Sequence, residues 1–400
     1  MARQAPTVFD PIGPSTADGG AELLAWLRKM RDENPVWRAD NDTYHIFRYA
    51  DVQQVLSDPA SFSSDTALLV PEIDRLSRGL LPRMDPPRHR ALRRLANQAF
   101  TSKTVTALEP RIARAAHALL DEAPLPEFDL IETLAYPLPV VVVAELLGLD
   151  PADRARFRDW ANRLIVAQVG DKAGVEVAVM TERANRELKN HLRGFLVERR
   201  VSPGTDLLSR LAGATVDGTR LTDDEVANMA VLLLSAGHVT TTSLLGHLFV
   251  CFADDPGLAA RLRAERGLIP AALEEVLRLR SPIIYVRRVT RRDVTVGGHT
   301  IPANRMVTVW LLAANHDERK FPEPERVVLN RTGGGQAAFG HGIHFCLGAP
   351  LARVETRIAL NALFDRFEDL RVTPGAHIPF YDKSDIYGMR VLPLTARRAR

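Results

Sequence analysis

The sequence predicts a mainly α-helical protein with a smaller β-rich lobe, and two patterns indicate this. From about residue 86 to residue 279 the pattern is almost wholly helical, with breaks at Pro- and Gly-containing turns. Alternating apolar and polar runs, typical of strands, occupy roughly residues 36–50, 283–312 and 375–400. No internal repeat or low-complexity linker interrupts the chain, so we expect one domain over residues 1–400.

The smaller elements follow in chain order. A short amphipathic helix is predicted over residues 22–31, and a hairpin turns around Asp40-Asn41-Asp42. A second hairpin turns at Gly297-Gly298, between two alternating segments. Helix is predicted to resume after Pro350, and the C-terminal segment is expected to be extended.

One predicted helix is unusually long. A capping box at Thr222–Glu225 starts it and Asp254-Asp255-Pro256 ends it, which leaves about 30 residues between them. Its apolar residues cover nearly every face, as in a helix that crosses a core. Its middle, AGHVTTT from Ala236 to Thr242, holds poor helix formers. This predicts either a local opening or π-bulge at a functional site, or a close approach of a neighbouring helix at Gly237.

Charge and composition exclude several classes of protein. The chain has 52 basic and 49 acidic residues, and only six of the basic residues are lysine, so we expect no nucleic-acid partner. Two cysteines cannot form a disulfide framework, which indicates a reducing compartment. The apolar stretches are interrupted by polar residues and prolines, and the first residues lack the apolar core of a signal peptide. We therefore expect a cytoplasmic protein without membrane insertion.

The stretch FGHGIHFCLGAP, residues 339–350, places Cys346 among glycines and two histidines. His341, His344 and Cys346 could bind zinc, although a fourth ligand is not evident. Cys346 could also be a nucleophile with a histidine base, or an inert buried thiol. Gly340, Gly342 and Gly348 remove side chains around the sulfur and leave a flat approach. The free N–H groups of the helix that follows are expected to lower the pKa of the thiol.

The longer stretch FGHGIHFCLGAPLAR resembles the haem-binding signature of cytochromes P450 in its bacterial form. The resemblance implies the cytochrome P450 fold and haem b (iron protoporphyrin IX) as cofactor. It implies that Cys346 is the iron ligand and that Phe339 packs near the sulfur, in a loop shaped by Gly340 and Gly348. It also implies that His344 meets a haem propionate.

Two other segments match the same family in order. EEVLR contains Glu275 and Arg278, one helical turn apart, and the resemblance implies that they pair with a later arginine, which we expect to be Arg326 in FPEPERVVLNR. DPPRHRALRRLANQAF resembles the family's second haem-contacting helix, and the resemblance implies that His89 and Arg93, which share one face of it, contact the cofactor.

The remaining basic residues are candidates for binding the haem propionates and for docking an electron donor. YVRRVTRRDVTVGG offers Arg288, with Arg287 as the alternative, as a further cation for the haem propionates. Each of these arginines could instead belong to a solvated basic face. Arg90 and Arg94 are candidates for a docking surface for an acidic electron donor.

The middle of the long helix resembles the family's oxygen-activating motif, A-G-x-(D/E)-T-T. Gly237 and Thr240 match it, but Val239 stands where the motif has an acid that relays protons. A valine cannot carry protons. Water and the threonines from Thr240 to Thr242 could relay protons, the substrate could donate them, or the reaction could be unusual.

The resemblance implies a monooxygenase that inserts one atom of O2 into a hydrophobic small molecule, by C–H hydroxylation or epoxidation, in secondary metabolism. It implies electrons from NAD(P)H through a separate ferredoxin or flavodoxin and its reductase. The substrate could be free or tethered to a carrier protein. Because Val239 departs from the motif, a haem-thiolate sensor or scaffold stays open as an alternative, as does a thiol or zinc hydrolase.

Substrate contacts are expected from four segments that the resemblance marks: residues 63–84, 231–236, 283–286 and 385–387. The first is apolar, which favours a hydrophobic substrate. The residues that we expect to line the pocket are Leu81, Val231, Ala236, Ile283, Ile284 and Tyr387.

Overall fold

The fold is built around a helix of 32 residues, Asp223–Asp254, that other helices surround. The structure is a computed structural model that describes residues 13–70, 80–149, 156–157, 159–160, 163, 175–216, 218–382 and 385–399, with the backbone alone over residues 175–182. Within these residues, helices dominate and strands form small sheets, which confirms the predicted fold class. Part of the sequence-predicted substrate segment, residues 71–79, lies outside the described residues.

The helices and strands have the following bounds. The α-helices of the described residues are α1 (Ala21–Glu33), α2 (Tyr49–Ser57), α3 (Arg88–Asn97), α4 (Ser102–Asp121), α5 (Pro137–Leu147), α6 (Val175–Val201), α7 (Leu207–Gly213), α8 (Asp223–Asp254), α9 (Pro256–Ala264), α10 (Ile269–Leu279), α11 (Leu311–Asn315) and α12 (Ala349–Arg366). The strands are β1 (Val36–Arg38), β2 (Tyr44–Ile46), β3 (Phe62–Ser63), β4 (Glu127–Asp129), β5 (Thr215–Val216), β6 (Thr219–Arg220), β7 (Tyr285–Thr290), β8 (Val294–Val296), β9 (His299–Ile301), β10 (Met306–Trp310), β11 (Phe367–Val372) and β12 (Pro393–Arg398).

Helix α8 begins where the sequence predicts. The amide of Glu225 donates to the Thr222 hydroxyl at 3.2 Å, and the amide of Thr222 donates to the Glu225 carboxylate at 2.9 Å. This reciprocal pair satisfies amides that the first turn of a helix leaves free. Among the described helices, α8 is long and apolar enough to cross a membrane, but 72% of its most apolar window is buried inside the protein. It is therefore a core helix.

The middle of α8 is continuous helix, so the predicted local opening is wrong. The hydroxyls of Thr240, Thr241 and Ser243 donate to carbonyl oxygens four residues earlier, at 2.8, 3.0 and 2.8 Å. These bonds keep the hydroxyls satisfied inside the helix. A Cβ atom on Gly237 would lie 3.4 Å from a side-chain carbon of Val143 on α5, which is an ordinary van der Waals contact, so the alternative of a close helix approach stays a prediction.

The π-helical turn lies instead in the element that faces α8. It spans Ile131–Ala135, immediately before α5, and the amide of Tyr136 donates to the Ile131 carbonyl at 2.9 Å. The carbonyl of Ala135 accepts a hydrogen bond of 2.8 Å from the Thr242 hydroxyl. A buried side-chain bond therefore joins the irregular turn to the central helix.

The main sheet has the strand order β1-β2-β10-β7-β3. Strands β1 and β2 form the hairpin predicted at Asp40–Asp42, and Asp42 adopts a left-handed conformation with φ 63°. Strand β10 pairs in parallel with β2 and antiparallel with β7, which carries Arg287 and Arg288. Strands β8 and β9 form the second predicted hairpin, and Gly297 and Gly298 turn it with positive φ.

Two predicted β-rich boundaries are wrong. The first region, given as residues 36–50, ends at Ile46, because Tyr49 begins α2. The third, given as residues 375–400, misses β11 (Phe367–Val372), which pairs with β12; over residues 375–399 only Pro393–Arg398 form a strand. In the order β11-β12-β4, the edge strand β4 (Glu127–Asp129) directly precedes the π turn in the chain.

Four buried histidines predict how stability depends on pH. Burial lowers the pKa values of His45, His238, His247 and His316 to about 3, from an ordinary value of 6.5. The unfolded chain therefore binds more protons than the folded chain between about pH 6.5 and 3. We expect the free energy of unfolding to fall as pH falls through this window, by about 1.4 kcal/mol per pH unit for each histidine.

The variant His247→Gln tests one contribution, because His247 Nε2 donates to the Tyr387 carbonyl at 2.9 Å and a glutamine amide can donate there. Denaturant unfolding at several pH values should give a shallower dependence, while the exposed His377→Gln control should follow the unmodified protein. Parallel curves for all three proteins would contradict the assignment.

Candidate active site

The loop that leads into α12 is held in a fixed shape by backbone bonds. The amide of Cys346 donates to the carbonyl of Phe339 at 2.8 Å, and that of Gly340 to Ala337 at 2.8 Å. Gly342 has φ 68°, and a Cβ atom there would lie 2.5 Å from the carbonyl oxygen of Leu56. Only glycine fits such a position without displacing the backbone of α2.

The sulfur of Cys346 is placed at the start of α12. The residue lies deep in the protein, yet it keeps an intermediate exposure, so it opens onto interior space. A Cβ atom on Gly348 would meet nothing within 4 Å, and Pro350 occupies the first turn of α12 as predicted. The position of Gly348, two residues after the cysteine, is therefore open space that no neighbouring side chain fills.

The groups and the burial around Cys346 act on the pKa of its thiol in opposite directions. Burial raises the pKa of the thiol, while hydrogen bonds from the amides of Gly348 and Ala349 and the charges of Arg93 and Arg353 lower it. The predicted amide donors are present, but the prediction of a lowered thiol pKa is wrong, because desolvation outweighs them. A cation bound to the sulfur would offset that burial cost.

Four basic side chains gather beside this loop, from three different elements. His89 and Arg93 come from α3, Arg288 from β7 and His344 from the loop itself. The rings of His89 and His344 lie 4.2 Å apart between centroids, and Arg93 donates to the carbonyl oxygen of Phe345 at 2.5 Å. The structure thus brings these predicted residues into one cluster.

The positive charge of this cluster comes from Arg93 and Arg288, because the lowered pKa values of His89 and His344 leave both imidazoles neutral at neutral pH. Burial lowers the pKa of His344 to about 3 and that of Arg288 to about 10. Asp85 is the acid that acts on His89, His344 and Arg288, and it is already bonded to Ser63, Ser64 and Arg291. The Nε2 atoms of His89 and His344 are buried without a hydrogen-bond partner among the described residues. Such a cluster favours a bound anion.

The residues of α8 divide into an open face and packed faces. Ala236 is exposed and Thr240 half-buried although the helix crosses the core, so this face looks onto interior space. Val239 is buried against Tyr381 and Ile386, with Ile283 at the edge of the same contact. His238 is buried, and its Nε2 lies 2.9 Å from the Tyr136 carbonyl oxygen. Its lowered pKa keeps it neutral, so His238 does not replace the missing acid.

The predicted ion-pair network exists, with one correction. Glu275 and Arg278 form two hydrogen bonds, at 2.9 and 3.1 Å, and both side chains are buried. The expectation that Arg326 completes the network is wrong: its side chain is 72% exposed and bonds Glu323. Arg331 does so instead, with Nε 2.9 Å from Glu275 and an exposure of 10%. Arg326 contributes only its carbonyl oxygen, which accepts from Arg278 at 2.8 Å.

The predicted substrate residues are distributed unevenly. Ala236 is exposed and Ile283 half-buried, whereas Leu81, Val231 and Ile284 are packed almost completely into the core. The assignment of Tyr387 is wrong, because its side chain is fully buried. Its hydroxyl accepts from Arg280 at 2.7 Å and donates to the carbonyl of Gly19, away from any open space.

The geometry disfavours the zinc interpretation and suits a flat, anionic ligand. Within the described ranges no group of three or more His, Cys, Asp or Glu side chains could hold a metal ion, and His341 is exposed. An open thiol, a side-chain-free surface at Gly348 and a cluster of unbalanced cations occur together instead. These features fit a planar group with an iron centre and two carboxylates, as haem is.

Comparisons with known proteins agree with this geometry. The sequence model of the family described as "Cytochrome P450" matches residues 176–393, more than half of the chain. The chain is similar to cyclomarin C epoxidase of Salinispora arenicola, with 45% identity over 95% of this chain and 97% of that protein. It is also similar to the erythromycin C-12 hydroxylase of Saccharopolyspora erythraea, with 43% identity over 98% of both chains. The ligand-free structure of cytochrome P450 TbtJ1 superposes with a TM-score of 0.90 and 52% identity, covering 96% of this chain and 100% of that one.

The network correction yields a prediction with a matched control. Replacing Arg331 by Ala would leave the buried charge of Glu275 with one partner fewer, which we expect to lower the free energy of unfolding by about 3 kcal/mol. Replacing the exposed Arg326 by Ala should change it by less than about 0.5 kcal/mol. Guanidinium unfolding of the two variants measures the difference. Equal losses in both would restore Arg326 to the network.

Proposed function

Because this chain belongs to the cytochrome P450 family, we propose that Cys346 binds the iron of haem b and that the chain acts on a natural product. The chain is a monooxygenase: the relatives that it matches over nearly their whole length are P450 epoxidases and hydroxylases. The observation that carries the haem assignment is the position of Cys346. Its sulfur lies deep in the protein, faces open space and precedes the free amides of α12.

The basic cluster supports the orientation of haem proposed here. Two propionates would meet His89, Arg93, Arg288 and His344, and so satisfy the two buried imidazole nitrogens that have no protein partner. Phe339 lies beside the loop, with the Arg353 guanidinium 4.5 Å above its ring. Arg287 lies next to Arg288 on the strand, but its guanidinium lies 5.0 Å from the ring of Tyr285, so it stays the alternative.

When bound, haem supplies the oxygen chemistry: with two electrons and two protons, one atom of O2 enters the substrate and the other leaves as water. The protein groups on the open face of α8 position water and substrate. The Thr240 hydroxyl donates to the carbonyl oxygen of Ala236 at 2.8 Å. Its oxygen can therefore accept a hydrogen bond from water, and the hydroxyl can also rotate to donate one to water. Gly237 lies on the same turn of α8, beside Val143 of α5.

Substrate preference is proposed from the open face and from the relatives. By their names, one relative is a cyclomarin C epoxidase and the other an erythromycin C-12 hydroxylase. We infer a substrate of the same general kind, a hydrophobic natural product that is free or tethered to a carrier protein. Ala236 and Ile283 provide apolar contacts, and Asp385, exposed although it lies deep in the protein, adds a polar one.

Electrons are proposed to come from NAD(P)H through a separate ferredoxin or flavodoxin and its reductase. Arg90 and Arg94 lie on α3, are exposed and share that helix with His89 and Arg93. An acidic partner that docks there would lie close to the basic cluster. The exposed Arg90 and Arg94 therefore support an acidic electron donor as the partner.

A second candidate function rests on Val239. This buried valine cannot carry a proton to the oxygen site. A haem-thiolate sensor or scaffold needs no such proton, because it would bind haem and a ligand without converting the ligand into a product. Product formation with a surrogate redox partner separates the two functions. Haem binding and a substrate-induced spectral shift without any product would favour the sensor.

The cysteine assignment has a direct test. The protein should take up haem, and its reduced, CO-bound form should show the strongly red-shifted Soret band of thiolate ligation. Cys346→Ala should abolish that band. Cys251→Ala should leave it unchanged, because Cys251 is buried on α8 and burial raises its thiol pKa to about 11. Retention of the shifted band in Cys346→Ala would refute the assignment.

Substrate class is tested by optical titration of the ferric protein. We expect the Soret band to shift to the high-spin form with a hydrophobic natural product such as erythromycin, as the ligand displaces water. Ile283→Ala should weaken that binding roughly tenfold, since it removes apolar contact worth about 1–2 kcal/mol. Tyr387→Phe should leave it unchanged, and an effect of Tyr387→Phe alone would restore that residue to the pocket.

A further inference from the structure

One carboxyl group faces internal space without an ion-pair partner. Asp385 lies deep in the protein, yet the residue is exposed, so it opens onto an interior space. Among the described residues its carboxyl forms no ion pair, and its own backbone amide is the hydrogen-bond donor that acts on it. Carboxyl groups away from bulk water normally have several donors, so this one is a candidate binding group for a ligand.

Asp385 lies beside the middle of α8. The amide of Ile284 donates to the Asp385 carbonyl at 2.9 Å, and Ile283 pairs with Ile386 in an isolated bridge. Ile386 packs on Val239, with Ile283 at the edge of the same contact. The carboxyl therefore belongs to the residue next to the one that covers the middle of α8, near its open face.

The backbone that follows Asp385 is held in place. The amide of Tyr387 donates to the Pro282 carbonyl at 2.8 Å. A Cβ atom on Gly388 would collide with the Ser243 hydroxyl of α8, so only glycine allows the chain to lie this close to the helix. The position of the carboxyl is thus fixed before a ligand binds, which lowers the entropic cost of binding.

Two arginines act on this carboxyl from other parts of the chain. Arg287 lies on β7, and Arg83 precedes α3 and donates to the Thr66 hydroxyl at 2.5 Å. The charges of both arginines lower the pKa of Asp385, while burial raises it and has the larger effect. Neither guanidinium forms an ion pair with Asp385, so a ligand group has room to bind between the carboxyl and a guanidinium.

An acceptor near two donors matches a ligand group that both donates and accepts hydrogen bonds. An N–H or O–H of the ligand would donate to Asp385, and the oxygen of the same group would accept from a guanidinium. A cation fits less well, because the positive charges of Arg83 and Arg287 act at the same place. A ligand carboxylate would face the Asp385 carboxyl. Amides and alcohols have the required chemistry without a charge.

We propose that Asp385 determines specificity by accepting a hydrogen bond from an amide N–H or a hydroxyl of the substrate, whose oxygen accepts from Arg83 or Arg287. The proposal rests on the proposed function, because it names the substrate class of the same site: a hydrophobic molecule that carries an uncharged donor and acceptor group. Binding at Asp385 holds that group beside the middle of α8. It thereby determines which carbon of the substrate reaches the open face at Ala236 and Thr240.

The test uses the haem-reconstituted protein and ligands that share one flexible apolar tail. Dodecanamide and 1-dodecanol carry the donor, whereas N,N-dimethyldodecanamide and 1-methoxydodecane are the same molecules with the donor replaced by methyl groups. Titration calorimetry gives each Kd, and the Soret band reports whether the ligand displaces water. We expect each donor to bind about tenfold more tightly than its methylated form, or better, because a hydrogen bond to a charged group is lost.

Variants of Asp385 should remove this preference. In Asp385→Val we expect both ratios of Kd values to fall to near one. Asp385→Asn keeps an acceptor oxygen and should retain part of the preference. The matched control is Asp382→Asn, since Asp382 precedes Asp385 by three residues and its carboxyl already accepts from the Ser15 hydroxyl. That variant should keep the full preference.

Two charged ligands with the same tail test the choice of an uncharged group. Dodecyltrimethylammonium and dodecanoate should each bind more weakly than dodecanamide. Tighter binding of the ammonium ligand that Asp385→Val abolishes would identify a site for cations and overturn the proposal. Tighter binding of dodecanoate would overturn it as well, because the arginines would then dominate recognition.

The remaining outcomes separate this proposal from the proposed function. Equal Kd values for donor and methylated ligands, a preference that Asp385→Val leaves unchanged, or no binding of any ligand would overturn the role of Asp385 even with a normal thiolate Soret band. Absence of that band in the unmodified protein would refute the proposed function, while calorimetry on the same protein would still measure the ratios. If Asp385→Val fails to fold, Asp385→Asn carries the comparison.

Discussion

Burial of positive charge without enough negative charge is the constraint on which the rest of the site depends. Arg93 of α3 and Arg288 of β7 bring the charge, His89 of α3 and His344 of the loop before α12 bring imidazole nitrogens without a partner, and the nearby Asp85 already pairs with Arg291. Ionised or polar groups enter a protein interior only when something balances them. A bound cofactor with two carboxylates completes the charge balance, so the cluster and the open Cys346 are two parts of one binding requirement.

The need to balance buried charge also explains the ion-pair network of Glu275, Arg278 and Arg331. Glu275 is held by Arg278 and Arg331 and also accepts from the amide of Val328 at 2.9 Å, which fixes the segment that leads into the Cys346 loop. Paired charges make that region rigid, while unpaired charges define the site itself. Glu355 forms a third case: a lone acid that stays inside the protein by remaining neutral.

Sequence patterns predict what local chemistry determines and fail where a side chain must choose between partners. The capping box at Thr222 and both hairpin turns depend on near neighbours, and the structure has them where the sequence predicts. Arg326 and Arg331 both lie in the FPEPERVVLNR stretch, and only tertiary packing decides that Arg331 is the buried one. The prediction that Tyr387 lines the pocket is wrong for the same reason, because only tertiary packing decides that its side chain is buried. The pKa of Cys346 depends on a burial that spacing does not reveal.

The parallel pairing of β2 with β10 has a consequence for how the chain is made. Thr308 pairs with His45, so the two residues are 308 − 45 = 263 positions apart. About three quarters of the chain must leave the ribosome before this central pair of the sheet can form, whereas the β1–β2 hairpin needs only its own first residues. Contacts between such distant residues close slowly and leave strand edges uncovered meanwhile. One edge of β2 therefore lacks its neighbour until β10 emerges, and slow translation before residue 306 would lengthen that exposure.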